Sequence, residues 1–300
     1  MFRRRAVVLL CALGVALALL VSGYFSLQVV HYDAFLEQAN SNRVKLRPTM
    51  PARGLIQDRN GQLLADNVSA FRLDLIPEQV KDIEATLAGL GAVIELSADD
   101  LRRFKRAYDP SRRFLPVTVK LRLREEDVAR FSVHRFRFPG VEVEPYLTRR
   151  YPYGPEFAHV VGYVARMDQA DLKALDDERY AVMTHTGKTG IERSYEESLR
   201  GTIGYEEVET NARGRSLGVL KRHISRAGTD LRLSLDAGLQ KATIEAFGEL
   251  TGSAVAVDPM TGQILAMVSL PSFDTNLFVN GISSADYKAL SSDPSQPLFN

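Results

Sequence analysis

Cysteine is almost absent from these 300 residues: Cys11 stands alone, which excludes an internal disulfide and any cysteine-based zinc site. Everything after position 11 is free of thiols, a composition that an oxidising compartment tolerates well. An excess of one charge is lacking too. The formal net charge is +1 and 25% of residues are charged, as in an ordinary globular protein, so neither wholesale disorder nor a polyanionic partner, nucleic acid included, is indicated. Arg102-Arg103-x-Lys105-Arg106 and Arg135-x-Arg137 are basic, but Asp99-Asp100 and Glu125-Glu126-Asp127 lie close by. The reading is a solvated face of mixed charge rather than an anionic-ligand site. His31, His134, His159, His185 and His223 are scattered without ligand spacing, so no metal site and no cofactor is expected. His159, inside an apolar run, reads as an ordinary hydrogen-bonded core histidine.

One long apolar run is present. Arg3-Arg4-Arg5 precedes Ala6 to Val30, which carries no charge and is polar only at Ser22, Ser26 and Gln28. The run is long enough to span a bilayer. A cleaved signal peptide would have a shorter apolar core ending in a small-x-small site, whereas Tyr24, Phe25 and Leu27 continue the run here. Positive charge ahead of the span holds the N-terminus in the cytoplasm, so the chain after Val30 is expected outside. His31 to Lys45 is polar and reads as a juxtamembrane helical rod ended by Pro48 and Pro51.

Past the linker, short elements follow one another in an α+β pattern. Leu55-Ile56 and Leu63-Leu64-Ala65 flank Asp58-Arg59-Asn60-Gly61, and Asn-Gly supplies the positive dihedrals of a tight two-residue hairpin turn. Ala70 to Ile76 alternates as a half-buried strand. Val80, Ile83, Leu87 and Leu90 have helical spacing, and a second helix opens with Ser97 ahead of Asp99 and Asp100. Val117 to Leu123 alternates again, Glu125 to Phe131 reads as a short helix, and Pro139-Gly140 turns into a strand at Val141 to Glu144. Gly187 to Gly201 reads as a turn and an amphipathic helix with Ile191, Tyr195 and Leu199 on one side. Thr229 to Asp236 is the cleanest strand. A helix from Asp236 carries Leu239, Ala242, Ala246, Phe247 and Leu250 as its expected buried stripe, and Ala254–Asp258 and Gln263–Val268 pair across Pro259-Met-Thr-Gly262. Asp258-x-x-x-Gly-Gln-Ile-Leu-Ala echoes the first hairpin's Asp-x-x-Gly-Gln-Leu-Leu-Ala, an echo of turn chemistry rather than a repeat.

Taken as a bare turn, 53–65 supports any β-hairpin. Yet Arg53-Gly-x-Ile-x-Asp-Arg-Asn-Gly-x-x-Leu-Ala65, placed after an anchor and an Arg-containing linker, resembles the first motif of class B penicillin-binding proteins. These are the membrane-anchored transpeptidases of bacterial cell-wall synthesis. Gly187-Lys-Thr-Gly-Ile-Glu192 is a second likeness, to a segment that builds the family's pedestal. "EEDVARF", "RFRFPGVEVE" and "RRYPYG…AHVVGYV" are similar to the rod-shape, elongation subtype, the penicillin-binding protein 2 type; the division subtype shares the hairpin and is the runner-up.

The resemblance implies a cytoplasmic tail at 1–5, an anchor at 6–30 and a linker at 31–50. It further implies a pedestal of the dimerisation type at 51–228, with a head subdomain at about 77–148, and the incomplete start of an α/β transpeptidase domain at 229–300. It makes Arg53, Gly54, Asp58, Arg59, Gly61, Gly187, Gly190 and Glu192 structural, with Gly54 and Gly61 for backbone geometry and Asp58 and Arg59 for a local polar network. The implied location is the bacterial inner membrane, single-pass, with the bulk periplasmic. Implied partners are the rod complex's polytopic glycosyltransferase and the rod-shape scaffold protein, and in a full-length form peptidoglycan stem peptides and β-lactams.

No catalytic residue is assigned. The family's Ser-x-x-Lys nucleophile is missing: no lysine has a serine three positions before it. Lys188-Thr189-Gly190 matches the Lys-Thr-Gly element, but it comes early and opens a helix, where the family's copy lies on a sheet edge. Gly214-Arg-Ser-Leu-Gly218 fits a nucleophile elbow only in its letters, since a polar stretch precedes it and no helical stripe follows. Two functions of different class remain: the N-terminal part of an elongation transpeptidase, and a non-catalytic scaffold that docks elongation partners.

Overall fold

A computed structural model describes residues 2–26, 28, 44–113, 115–167, 171, 185–211 and 216–299. The chain divides into two compact units, Met1–Arg47 with Glu206–Arg222, and Pro48–Tyr205 with His223–Asn300.

The first unit opens with helix α1, Phe2–Phe25. Its described side chains begin at Leu10, and Leu10, Leu13, Leu17 and Leu19 are all more than 60% exposed. Among the described residues no helix is long and apolar enough to cross a membrane. A three-stranded sheet has the order β1 (Val44–Thr49), β8 (Gly204–Thr210), β9 (Ser216–His223). The rod expected over 31–45 lies outside the described residues except for Val44 and Lys45, which are strand instead. Pro48 does not terminate a helix there; it sits inside β1, at the sheet edge, where a missing N–H is tolerated. Glu206 on β8 accepts from Arg47 Nη2 at 2.5 Å and Arg222 Nε at 2.6 Å. Those two guanidiniums, Arg47 foremost, hold its carboxyl below the usual range. Gly214 and Arg215 of the elbow-like motif lie outside the described residues, while Ser216 starts β9, with strand and not helix after it.

The spine of the second unit is β3, Leu63–Leu75. Hairpin arm and following strand, expected as two elements, are one continuous strand of 13 residues, because no residue between Ala65 and Ala70 breaks the ladder. Its start pairs with β2 (Ile56–Gln57), and from Asp66 to Leu75 it pairs antiparallel with β5, Val141–Arg150. On the other edge of β3, Phe71–Leu75 pair with β4, Val117–Leu123. The strand thereby crosses from one core to another.

At its far end Leu73 and Leu75 pack with Leu87, Leu90, Phe104, Val119 and Phe131. These come from α2 (Ile83–Gly91), α3 (Ala98–Ala107), β4 and α4 (Glu125–His134). Asp82 caps α2, leaving Val80 outside the helix, and Ser97 with Asp100 forms a reciprocal capping box on α3. At its near end Leu64 and Ala65 pack with Ile56, Tyr151, Phe157, Val161, Val164 and Leu199. Here lie α5 (Ala158–Val161), β6 (Val164–Arg166), β7 (His185–Gly187), α6 (Gly190–Ser194) and α7 (Glu196–Arg200). The single helix expected over 187–201 is two short ones. Tyr195 breaks it with φ −110° and ψ 22°, and its ring is 48% exposed rather than part of a buried stripe.

The clean strand expected over 229–236 is in the ladder only at β10, Leu231–Arg232, parallel to β2. Its partner is equally short, since the hairpin turns at Asp58. Helix α8, Ala237–Phe247, follows, then β11 (Gly252–Val257) antiparallel to β12 (Ile264–Leu270), α9 (Asn276–Val279) and α10 (Ser284–Ser291). The apolar stripe expected there is not buried: Leu239 on α8 is 39% exposed, and Leu250, 71% exposed, lies beyond the end of the helix at Phe247. Its buried residues are Ala237 and Gln240, and the Gln240 amide donates to Glu156 O and Met267 O and accepts from Met267 N, each at 2.8 Å. Helix and β12 are joined through that polar face.

Candidate functional site

The 53–65 hairpin makes two sets of contacts, one at each end. At the first, Arg53 Nε donates to Glu192 Oε2 at 2.7 Å and its Nη2 to Glu196 Oε2 at 2.6 Å. Glu192 stands at the start of α6 and is fully buried. Its other carboxylate oxygen accepts from Arg149 Nε at 2.8 Å and Tyr151 Oη at 3.2 Å. Arg149 also donates to Gly54 O at 2.8 Å, and Glu196 accepts from Gly187 N at 2.9 Å. Burial works against the charge on Arg53, but Glu192 and Glu196 outweigh it and raise its pKa. Burial, with Glu192 adding to it, pushes the Tyr151 phenol well above its ordinary value, so it stays a donor.

Close backbone approach explains the glycines around this network. A Cβ on Gly54 would lie 2.1 Å from Thr229 O, where the chain returns beside the hairpin. Gly187 and Gly190 face backbone oxygens of Glu192 and Val160 at 2.1 and 2.4 Å from the same notional atom.

At the other end, Asp58 is fully buried and accepts from three backbone N–H groups. Oδ1 takes Asn60 N at 2.7 Å and Gln62 N at 2.8 Å; Oδ2 takes Ala237 N, in the first turn of α8, at 3.1 Å. Asn60 Nδ2 reaches Asp236 Oδ2 at 3.1 Å, and Asp236 caps α8 by accepting from Leu239 N. Those two donors, Leu239 N–H first, hold the Asp236 carboxyl below its ordinary value. Arg59 joins through its backbone: its N–H donates to Leu235 O at 2.9 Å, and its carbonyl accepts from Arg232.

The turn differs from the expected two-residue form. Only Gly61 has positive φ, at +86°; Gly61 N donates to Asp58 O and Asp58 N to Gln62 O, with a register shift between Ile56 and Gln57. This is a longer turn with glycine at its left-handed corner. The second hairpin repeats the device. Asp258 accepts from Met260 N and Thr261 Oγ1, and Gly262 has φ +73°.

Of the eight sequence-selected residues, the structure gathers Arg53, Gly54, Gly187, Gly190 and Glu192 at one end, and Asp58, Arg59 and Gly61 at the other. Arg149, Tyr151, Glu196 and Asn60 complete the contacts and were not selected. Glu196 alone left a signal, a second carboxylate four residues after Glu192. Lys188 pairs with Asp171 just ahead of α6. His159 Nε2 lies 3.3 Å from Pro271 O with its ring against Phe273. Among the described residues no group of histidine, cysteine or carboxylate side chains could hold a metal ion. The hairpin's chemistry is that of a joint: opposite charges neutralise one another and carboxylates satisfy backbone donors.

Residues 48–233 match the family described as Penicillin-binding Protein dimerisation domain. Peptidoglycan D,D-transpeptidase MrdA of Escherichia coli K12 is 43% identical over 304 residues, covering 100% of this chain and 48% of that protein. The protein of the same name from Acinetobacter baumannii is 44% identical over 286 residues, 95% of this chain and 43% of the relative. Among solved structures, the complex between Penicillin-Binding Protein (PBP2) and MreC from Helicobacter pylori aligns with a TM-score of 0.72 at 29% identity, over 86% of this chain and 48% of that one. Pseudomonas aeruginosa PBP2 in complex with WCK 5153 aligns with a TM-score of 0.53 at 31% identity, over 85% and 37% of the two chains. The chain spans about half the length of the curated relatives it matches. It belongs to the penicillin-binding proteins of the PBP2 type and corresponds to their N-terminal part.

Proposed function

We propose that these residues are the N-terminal part of a membrane-anchored peptidoglycan D,D-transpeptidase of the cell-elongation machinery. The observation that carries this reading is 43% identity with E. coli MrdA over 100% of the chain, hairpin motif included. In the whole protein a serine of a Ser-x-x-Lys element would attack the D-Ala-D-Ala carbonyl, with the neighbouring lysine taking its proton, and would react with penicillin in the same way. That element does not occur in these 300 residues.

Their contribution is architectural. Residues 51–228 form the pedestal, with the head at about 77–148, and 229–300 begin the transpeptidase domain; the hairpin ties one to the other. An apolar surface on the 229–300 segment supports a further covering layer: Leu250, Val255 and Val257 are 50–71% exposed. The anchor reading rests on Arg3–Arg5 ahead of an uncharged run and on the exposed leucines of α1, and it places the bulk in the periplasm. A rod-shape scaffold protein as partner is supported by the H. pylori complex of PBP2 with MreC. The polytopic glycosyltransferase of the rod complex is the second partner, meeting the anchor and pedestal.

Membranes from the source cell are treated with fluorescent penicillin and probed with an antibody to 229–300. The expected result is a labelled band well above 33.4 kDa. An unlabelled band at that mass, with no larger form, overturns the proposal in favour of a non-catalytic scaffold.

A further inference from the structure

Read along the sequence, Arg102, Arg103 and Arg106 belong to a solvated helix face. In the fold they line one wall of an open cleft of about 550 Å³, a volume within the range of small-ligand sites. The opposite side is built by Arg166 at the end of β6 and by the turn through Asn280 and Ser283 that leads into α10.

Charge in the cleft is unbalanced. Asp99 pairs with Arg102 and Asp100 with Arg103, both within the helix. Arg103 is further fixed by a long bond to Asn280 O at 3.4 Å. Arg106 and Arg166 have no carboxylate partner among the described residues, so four guanidiniums face two carboxylates. Asp286, in the first turn of α10, is already bonded to Ser283. Guanidiniums gathered in a concave site repel one another, and their planar forks match carboxylate and phosphate oxygens. A ligand with a single charge would satisfy only one of the two unpaired groups.

We propose that this cleft binds a compact polyanion carrying two or more carboxylate or phosphate groups, bridging Arg106 on α3 and Arg166 on β6. Bound there, it links the helical core around α3 to the turn that opens α10, a junction otherwise held by Arg103 and by Asn280, whose amide donates to Thr148 Oγ1 at 3.3 Å and whose Oδ1 lies 3.2 Å from Tyr146 Oη. The proposal stands apart from the transpeptidase reading, since it uses no step of that reaction.

The test is calorimetric titration of the full-length protein in detergent with citrate and with inorganic pyrophosphate, chloride holding the ionic strength constant. Saturable binding of either anion is expected, at least tenfold weaker in the Arg106→Gln/Arg166→Gln double variant. Citrate alone assigns a carboxylate ligand, pyrophosphate alone a phosphate ligand, and both together a general polyanion site. Ser284→Glu is an independent variant: the residue is exposed, an acid is favoured in the first turn of a helix, and the new carboxylate occupies the cleft. It too should weaken binding at least tenfold. Absence of saturable binding by both anions, or equal affinity in wild type and Ser284→Glu, overturns the proposal.

Discussion

At its Arg53 end the hairpin meets residues 192 and 196 through charges removed from water, whereas at its Asp58 end it meets residues 235–237 through a carboxylate and a carbonyl that receive backbone N–H groups. The two ends sit on one 13-residue motif and respond to different physics. Buried opposite charges are mutually dependent, because removing one leaves the other unpaired in a low-dielectric interior. A carboxylate serving backbone donors loses its bonds one at a time, and each donor can be partly recovered by water. The first end should therefore fail abruptly and the second by degrees.

The sharpest break of that contrast is Glu192→Ala, which leaves the buried Arg149 without a carboxylate and Arg53 with Glu196 alone, and should reduce stability by about 3–5 kcal/mol in equilibrium denaturant unfolding. Because the pairs are buried, the loss should be nearly the same at low and high salt. Gly54→Ala comes next, at about 3 kcal/mol, since its Cβ would meet Thr229 O at 2.1 Å and backbone must move; the unfolding midpoint reports it. At the second end, Asp58→Ala should lose about 2 kcal/mol, and Asp58→Asn less, because one oxygen can still accept. The smallest effect belongs to Asp236. Its folded-state pKa is depressed, so its contribution is present above the ordinary carboxylate value of 3.8 and is lost as pH falls through the lower folded value. The stability gap between wild type and Asp236→Asn should accordingly shrink from pH 7 to pH 3 in chemical-denaturation curves.

Elements with local causes were legible in the sequence. Alternation marked Val117–Leu123 to the residue, and Ser97 with Asp100 announced the capped α3. The hairpin was visible from its Asn-Gly, yet its turn was misjudged, because the Asp58 side chain competes for the backbone donors and leaves only Gly61 at positive φ. Long-range partners were not legible. Arg53 and Glu192 are 139 residues apart, and no local pattern says which carboxylate will face which guanidinium. Gln240 was hidden for another reason: a polar residue beside an apolar stripe reads as solvent-facing, whereas here it is the buried contact to β12. The arginine cleft escaped as well, since Asp99 and Asp100 offset only part of the basic charge of α3 and Arg166 is brought beside it by the fold alone.

That the motif holds structure rather than performing chemistry is tested most directly by Arg53→Gln in the full-length protein, measuring unfolding free energy and the rate of acylation by fluorescent penicillin on the same folded sample. The expected result is a stability loss of about 2–4 kcal/mol with acylation of folded molecules changed less than about twofold. Unchanged stability together with lost acylation would contradict it and would place Arg53 in the reaction.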